Sequence, residues 1–219
     1  MNILVIIILL LLVLFVLFYS INYTSSSDFQ FVELPNLLSV SECDEIIKLA
    51  KEKGLSQSYV VSDDTLSAYD EQFRKSDQVW IDQSEYPVLQ KLSRISTERT
   101  GLPEAHQEMI QIVRYDIGGK FDAHYDPCVK GEKICDEMNR GAGQRKTTLL
   151  VYLNDVMKGG ETEFVNLGMK VRPEKGKGIL FWSTDKDERI LEESKHRGNP
   201  VTVGEKWIAT IWSHPLPYS

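Results

Sequence analysis

The stretch MIQIVRYDIGGKFDAHYD, residues 109–126, decides how this chain is read. It opens on Met109–Tyr115, a run rich in branched and aromatic residues that predicts a strand. Gly118-Gly119 then marks a turn. The stretch closes on His124-Tyr125-Asp126. In extended chain, side chains two residues apart project to the same side. One imidazole nitrogen and one carboxylate oxygen can therefore reach a single ion.

Outward from this stretch the pattern is one of short strands. Thr147–Leu153, Lys170–Arg172, Gly178–Trp182, Pro200–Val203 and Trp207–Trp212 are rich in Val, Ile, Tyr, Trp and Thr, with Gly and Pro between them. Such spacing predicts a sandwich or jelly roll. Upstream, Ser39 and Glu42 form a capping-box pattern before Ile46, Ile47, Leu49 and Ala50, with Gly54 as a stop. A second helix is predicted from Pro87 to Thr100, with Val88, Leu89, Leu92 and Ile95 on its apolar face and Gly101 closing it. Ser56–Gln78, polar and weakly periodic, reads as a lid or binding loop. The fold class expected is mainly β with flanking helices (α+β).

The chain has 219 residues, enough for one domain with a substantial core. Its net charge of -7 disfavours a nucleic-acid substrate, since phosphate neutralisation needs a basic face. Residues Ile3 to Phe18 are all apolar, and no charged side chain precedes Asp28. That run predicts a transmembrane signal-anchor over 1–21, a linker over 22–28 and a catalytic domain over 29–219. A cleaved signal peptide fits less well, because a basic n-region and a small-residue cleavage site are missing. Cys128 and Cys135 are close in sequence and admit either a local disulfide or two free thiols. Cys43 falls in the first predicted helix and is expected to pack.

His196 lies far downstream of Asp126, before the last strand pair. Two histidines and one carboxylate are the ligand set of the non-haem iron facial triad, which leaves positions open for other ligands. A zinc hydrolase can also use His and Asp with an open position. Lys206 sits ten residues after His196, flanked by Trp207-Ile208-Ala209-Thr210. An inward-facing ammonium at that position can bind an anionic carboxylate, and Thr210, on the same face of the strand, can donate to the same group.

Residues 109–214 resemble the prolyl 4-hydroxylase catalytic domain of the 2-oxoglutarate/iron(II) dioxygenase superfamily. The strings that carry the resemblance are RYDIGGKFDAHYD at 114–126, RKTTLLVYLND at 145–155, GGETEF at 159–164 and HRGNPVTVGEKWIATIWSH at 196–214. Arg74-Lys75-Ser76 with Trp80 resembles the family's R-x-S…W element in a peptide-binding loop. The resemblance implies a double-stranded β-helix (jelly roll) core. It implies iron(II) on His124, Asp126 and His196, and 2-oxoglutarate anchored by Lys206, with Tyr115, Thr210 and Tyr152 near its pocket. Arg74, Trp80, Arg145, His214 and Trp212 are the implied substrate contacts. Dioxygen is the implied cosubstrate and ascorbate the rescuing reductant.

The expected activity is hydroxylation of peptidyl proline, of the procollagen-proline 4-dioxygenase type, releasing succinate and carbon dioxide. The expected partners are a proline-containing peptide and, through the N-terminal helix, a membrane, with the catalytic domain in the endoplasmic reticulum lumen. The presence of Asp126 separates the chain from halogenating relatives, which carry a small residue there. Two alternatives stay open: a dioxygenase acting on a lysyl peptide or a small molecule, and a catalytically silent module that binds proline-rich segments.

Overall fold

The computed structural model describes residues 29–62, 65–128 and 133–219. In chain order the elements are β1 (Phe31–Leu34), α1 (Val40–Lys53), β2 (Ser56–Gln57), β3 (Val60–Ser62), β4 (Thr65–Ala68), β5 (Arg74–Lys75), β6 (Asp77–Ile81), α2 (Pro87–Thr100), β7 (Ile110–Tyr115), β8 (Lys120–His124), α3 (Lys133–Asn139), β9 (Thr147–Tyr152), β10 (Lys158–Gly159), β11 (Thr162–Phe164), β12 (Met169–Val171), β13 (Gly178–Trp182), β14 (His196–Gly198), β15 (Val201–Val203) and β16 (Lys206–Ser213). Seven strands form a major sheet in the order β1-β13-β9-β16-β7-β6-β2, and five form a minor sheet in the order β12-β11-β14-β8-β5. Neighbouring strands run antiparallel. This is the expected jelly roll.

The centre of the major sheet is β16, bonded to β9 on one side and β7 on the other. All eight of its residues are buried, so its two faces pack against different things. Trp207, Ala209 and Ile211 face outward into a cluster with Ile46, Leu89 and Leu92 of the two long helices. Burying each large apolar side chain there is worth about 1.5–3 kcal/mol. Lys206, Ile208, Thr210 and Trp212 face inward, into the space between the sheets. A second cluster fills the rest of that space, with Val113 and Tyr152 from the major sheet meeting Phe164 and Val171 from the minor one.

The helix boundaries follow local chemistry. The Ser39 side chain accepts from the Glu42 amide, and the Glu42 carboxylate accepts from the Ser39 amide. Helix α2 begins with Pro87 and ends at Gly101 in the left-handed conformation. Cys43 is fully buried in α1, as expected. Cys128 and Cys135 form a disulfide that ties the segment after β8 to α3.

Three expectations need correction. Ser56–Gln78 is not one loop. Within it, β2 pairs with β6 and β5 pairs with β8, and β3 pairs with β4. These edge pairings are held by backbone hydrogen bonds and need no apolar alternation, so the sequence pattern misses them. Helix α3 was also not expected. The third correction concerns location. The expected signal-anchor at 1–21 and linker at 22–28 lie outside the described residues. Among the described residues no helix is long and apolar enough to cross a membrane. The two longest have fourteen residues each, about 21 Å at 1.5 Å per residue, short of a hydrocarbon core of about 30 Å. The reading as a single-pass membrane protein with a lumenal catalytic domain is therefore withdrawn.

Candidate active site

The two candidate histidines come from neighbouring strands of the minor sheet. His196 opens β14 and stands directly opposite His124, the last residue of β8. Each ring is held from behind through Nδ1, to the Asp122 carbonyl at 2.7 Å for His124 and to the Ser194 carbonyl at 2.9 Å for His196. With Nδ1–H donating outward, each Nε2 keeps its lone pair for the interior. Aromatic rings fix the imidazoles further. Phe121 stacks on His124 at 3.7 Å, and Phe181 meets His196 edge-on at 5.0 Å.

Asp126, just beyond β8, completes the group. Its Oδ1 lies 3.7 Å from Nε2 of His124 and 3.9 Å from Nε2 of His196. Its Oδ2 accepts a 2.6 Å hydrogen bond from the Thr148 hydroxyl. One ligand atom from each of the three residues lies within 4.8 Å of the others. The separations to Oδ1 are too long for hydrogen bonds, so three lone pairs converge with no proton between them. Two imidazole nitrogens and one carboxylate oxygen fit a first-row divalent cation. Burial, then the neighbouring His196, pushes His124 down to about 3, so its imidazole is neutral and free to ligate. Burial pushes the Asp126 carboxyl up, but His196, His124 and Arg145 outweigh it and hold the group below its ordinary value.

The same cavity contains Lys206. It stands opposite Tyr115 across the β16–β7 pair, and its ammonium lies 5.3 Å from the Tyr115 ring and 5.7 Å from the Tyr152 ring. Lys206 is 2% exposed, and among the described residues it forms no salt bridge. Burial lowers its pKa to about 7. A buried cation without a counter-ion is costly, and an anionic ligand would relieve that cost. Tyr115 and Thr210 line the cavity beside it. Tyr152 is fully buried behind the wall, where its hydroxyl donates to Thr162 at 2.8 Å.

The expected substrate contacts divide into two groups. Arg74, Trp80, Arg145 and Trp212 line a wide groove that runs from His124 and Asp126 past Tyr59, Met138 and Tyr218. Arg74 packs its guanidinium over Phe121 at 4.5 Å and reaches the Gln111 side-chain carbonyl at 3.4 Å. Trp80 and Trp212 stand 5.7 Å apart. Arg145 lies over the Trp212 ring at 3.9 Å and donates two hydrogen bonds to Glu108, at 2.5 and 2.9 Å. His214, by contrast, is fully buried. Its Nε2 lies 3.0 Å from Glu108 Oε1, and its Nδ1 bonds the Gly143 carbonyl, so it braces the Arg145–Glu108 pair from behind.

Residues 110–214 match the sequence profile of the 2OG-Fe(II) oxygenase superfamily. Among curated relatives, a putative prolyl 4-hydroxylase of Acanthamoeba polyphaga mimivirus is 34% identical over 187 residues, covering 85% of this chain and 74% of that protein. The chain belongs to the prolyl 4-hydroxylase family of 2OG-Fe(II) oxygenases. Probable prolyl 4-hydroxylase 3 of Arabidopsis thaliana is 33% identical, with 84% of this chain and 68% of that one covered. The viral collagen prolyl hydroxylase of Paramecium Bursaria Chlorella virus-1, solved with 2OG, superposes with a TM-score of 0.66 at 32% identity, covering 83% of this chain and 94% of that one. Family membership supports iron(II) and 2-oxoglutarate as cofactor and cosubstrate.

Sequence reasoning did not single out several residues that line the cavity, among them the polar Gln111, Thr148 and Thr162 and the aromatic Phe121. Thr148 left a usable signal. Thr147 and Thr148 both place a hydroxyl in TTLLVY, a run otherwise fit for a fully buried strand, and a buried hydroxyl calls for a partner, though the pattern does not say which of the two finds one.

Proposed function

We propose that this chain is a dioxygenase that hydroxylates peptidyl proline, with the catalytic domain occupying 29–219. The observation that carries the reading is a single cavity with three converging candidate metal-ligand atoms and a buried lysine that forms no salt bridge among the described residues. The names of the relatives, prolyl 4-hydroxylases and a collagen prolyl hydroxylase, support proline as the residue modified.

In this reading His124, Asp126 and His196 hold iron(II). Iron(II) with 2-oxoglutarate and dioxygen supplies the oxidative decarboxylation that gives succinate and carbon dioxide and delivers one oxygen atom to the substrate C–H bond. The protein's own part is placement. Lys206 receives the distal carboxylate of 2-oxoglutarate, and the Thr210 and Tyr115 hydroxyls orient it. Phe121, Val113 and Ile208 keep that end of the cavity dry, which strengthens the ion pair. The groove floor of Trp80, Trp212 and Arg145 suits a proline-rich strand, whose rings stack on aromatic faces. Ascorbate as the rescuing reductant and a procollagen-type substrate belong to the same proposal.

The test is a proline-rich peptide incubated with iron(II), 2-oxoglutarate and dioxygen. Mass spectrometry should find one oxygen atom added at proline, matched by succinate release. Asp126→Ala and His124→Ala should abolish both with folding intact. Oxygen added to lysine alone, or full turnover in either variant, would overturn the assignment.

A further inference from the structure

We propose that Thr148 is a positioning residue that confines Asp126 to a single ligating oxygen. The proposal rests on His124, Asp126 and His196 being the metal ligands.

Each of the three ligands has one anchor behind it. The histidines are anchored by backbone carbonyls, from Asp122 and Ser194. Asp126 is anchored by a side chain, the Thr148 hydroxyl, which donates to Oδ2 at 2.6 Å. The oxygen left over, Oδ1, is the one facing both Nε2 atoms. A carboxylate with both oxygens free can grip a cation through one or both. Gripping through both takes up a coordination position that a chelating 2-oxo acid and dioxygen need. A hydrogen bond donated to Oδ2 works against that mode.

Thr148 is well placed for the role. It lies on β9, an interior strand of the major sheet, opposite Trp212 on β16 and Phe181 on β13. It is 1% exposed, and branching at Cβ leaves its χ1 little freedom. Asp126, by contrast, lies past the end of β8 in chain without strand pairing, so its carboxylate needs an outside reference. The adjacent Thr147 supplies a natural control. It is equally buried, in the same strand, and its hydroxyl has no hydrogen-bond partner among the described residues.

The test titrates the metal-free full chain with Co(II) and follows both affinity and visible absorption, without peptide or turnover. Outer-shell partners of metal ligands are commonly worth 10–100-fold in affinity. Thr148→Val should bind Co(II) at least about tenfold more weakly and with an altered absorption envelope. Thr148→Ser should restore both, and Thr147→Val should match the parent. If circular dichroism shows the valine variant unfolded, Thr148→Ala takes its place with the same criteria. A Thr148 variant that keeps the parent affinity and spectrum overturns the proposal, as does a serine variant that fails to restore them or a Thr147→Val variant that loses as much. A parent chain that binds no Co(II), or an Asp126→Ala variant that binds it as tightly as the parent, would instead overturn the ligand assignment.

Discussion

Replacing Lys206 with methionine should make the protein more stable and less able to bind its cosubstrate. Lys206 is 2% exposed and makes no salt bridge among the described residues, and burial lowers its pKa from 10.5 to about 7. That difference is worth about 5 kcal/mol against the charged form. Water in the open cavity trims it, so the expected gain is about 2–5 kcal/mol. The sign follows from proton linkage. Between pH 7 and 10.5 the unfolded chain holds the lysine proton and the folded chain has lost it, so the stability of the parent rises with pH across that window. Below pH 7 the folded state carries the whole burden of a buried charge. The methionine variant should therefore exceed the parent most at pH 6, and the gap should close toward pH 10. Urea unfolding at several pH values measures this directly. Affinity should move the other way. Losing a charge-assisted bond to the distal carboxylate, worth about 1.5–3 kcal/mol, weakens 2-oxoglutarate binding by about 10- to 150-fold. In the parent, binding should also weaken as pH rises through about 7, a dependence the variant should lack. A Lys206→Met protein less stable than the parent at pH 6, or one with unchanged 2-oxoglutarate affinity, would refute the reasoning.

Two further outcomes test the surroundings. Arg145→Met leaves the buried Glu108 without its main partner, because Arg145, helped by His214, holds that carboxyl low against the upward push of burial. The expected loss is about 3–5 kcal/mol by urea unfolding, and adding Glu108→Gln should recover most of it. Gly176→Ala should cost more than about 1 kcal/mol in the same assay, since Gly176 has φ +83 and a Cβ there would lie 2.2 Å from the Leu38 carbonyl oxygen.

The parts of this fold that read clearly from sequence are those set by neighbours along the chain. Ser39 and Glu42 announce the start of α1, and Gly101 the end of α2, because caps are local chemistry. The convergence of His124, Asp126 and His196 was also foreshadowed, since His124 and Asp126 are two residues apart and HRGNPVTVGEKWIATIWSH carries His196 together with Lys206. What stayed hidden depends on contacts between distant segments. Tyr152 and His214 sit in or beside strands that read well, but which way each faces is decided by register. The structure turns Tyr152 toward Thr162 and buries His214 behind Glu108. Ser56–Gln57 and Arg74–Lys75 become strands only because distant edges accept their backbone groups. The apolar run before residue 21 prompted a membrane placement on hydropathy alone, and the described fold gives that placement no help.

The facing of His124 and His196 across one rung of the minor sheet has a consequence for how the chain matures. A slip of one residue between β8 and β14 would send one imidazole to the opposite side of the sheet. The two imidazoles thus face one point only after the two strands, far apart along the chain, have zipped in the correct alignment. A cation held there as proposed would act as a clasp that rewards the correct pairing and resists its unzipping. If the proposed ligand set holds, acquisition of the metal would fall late in folding, after these long-range contacts have formed.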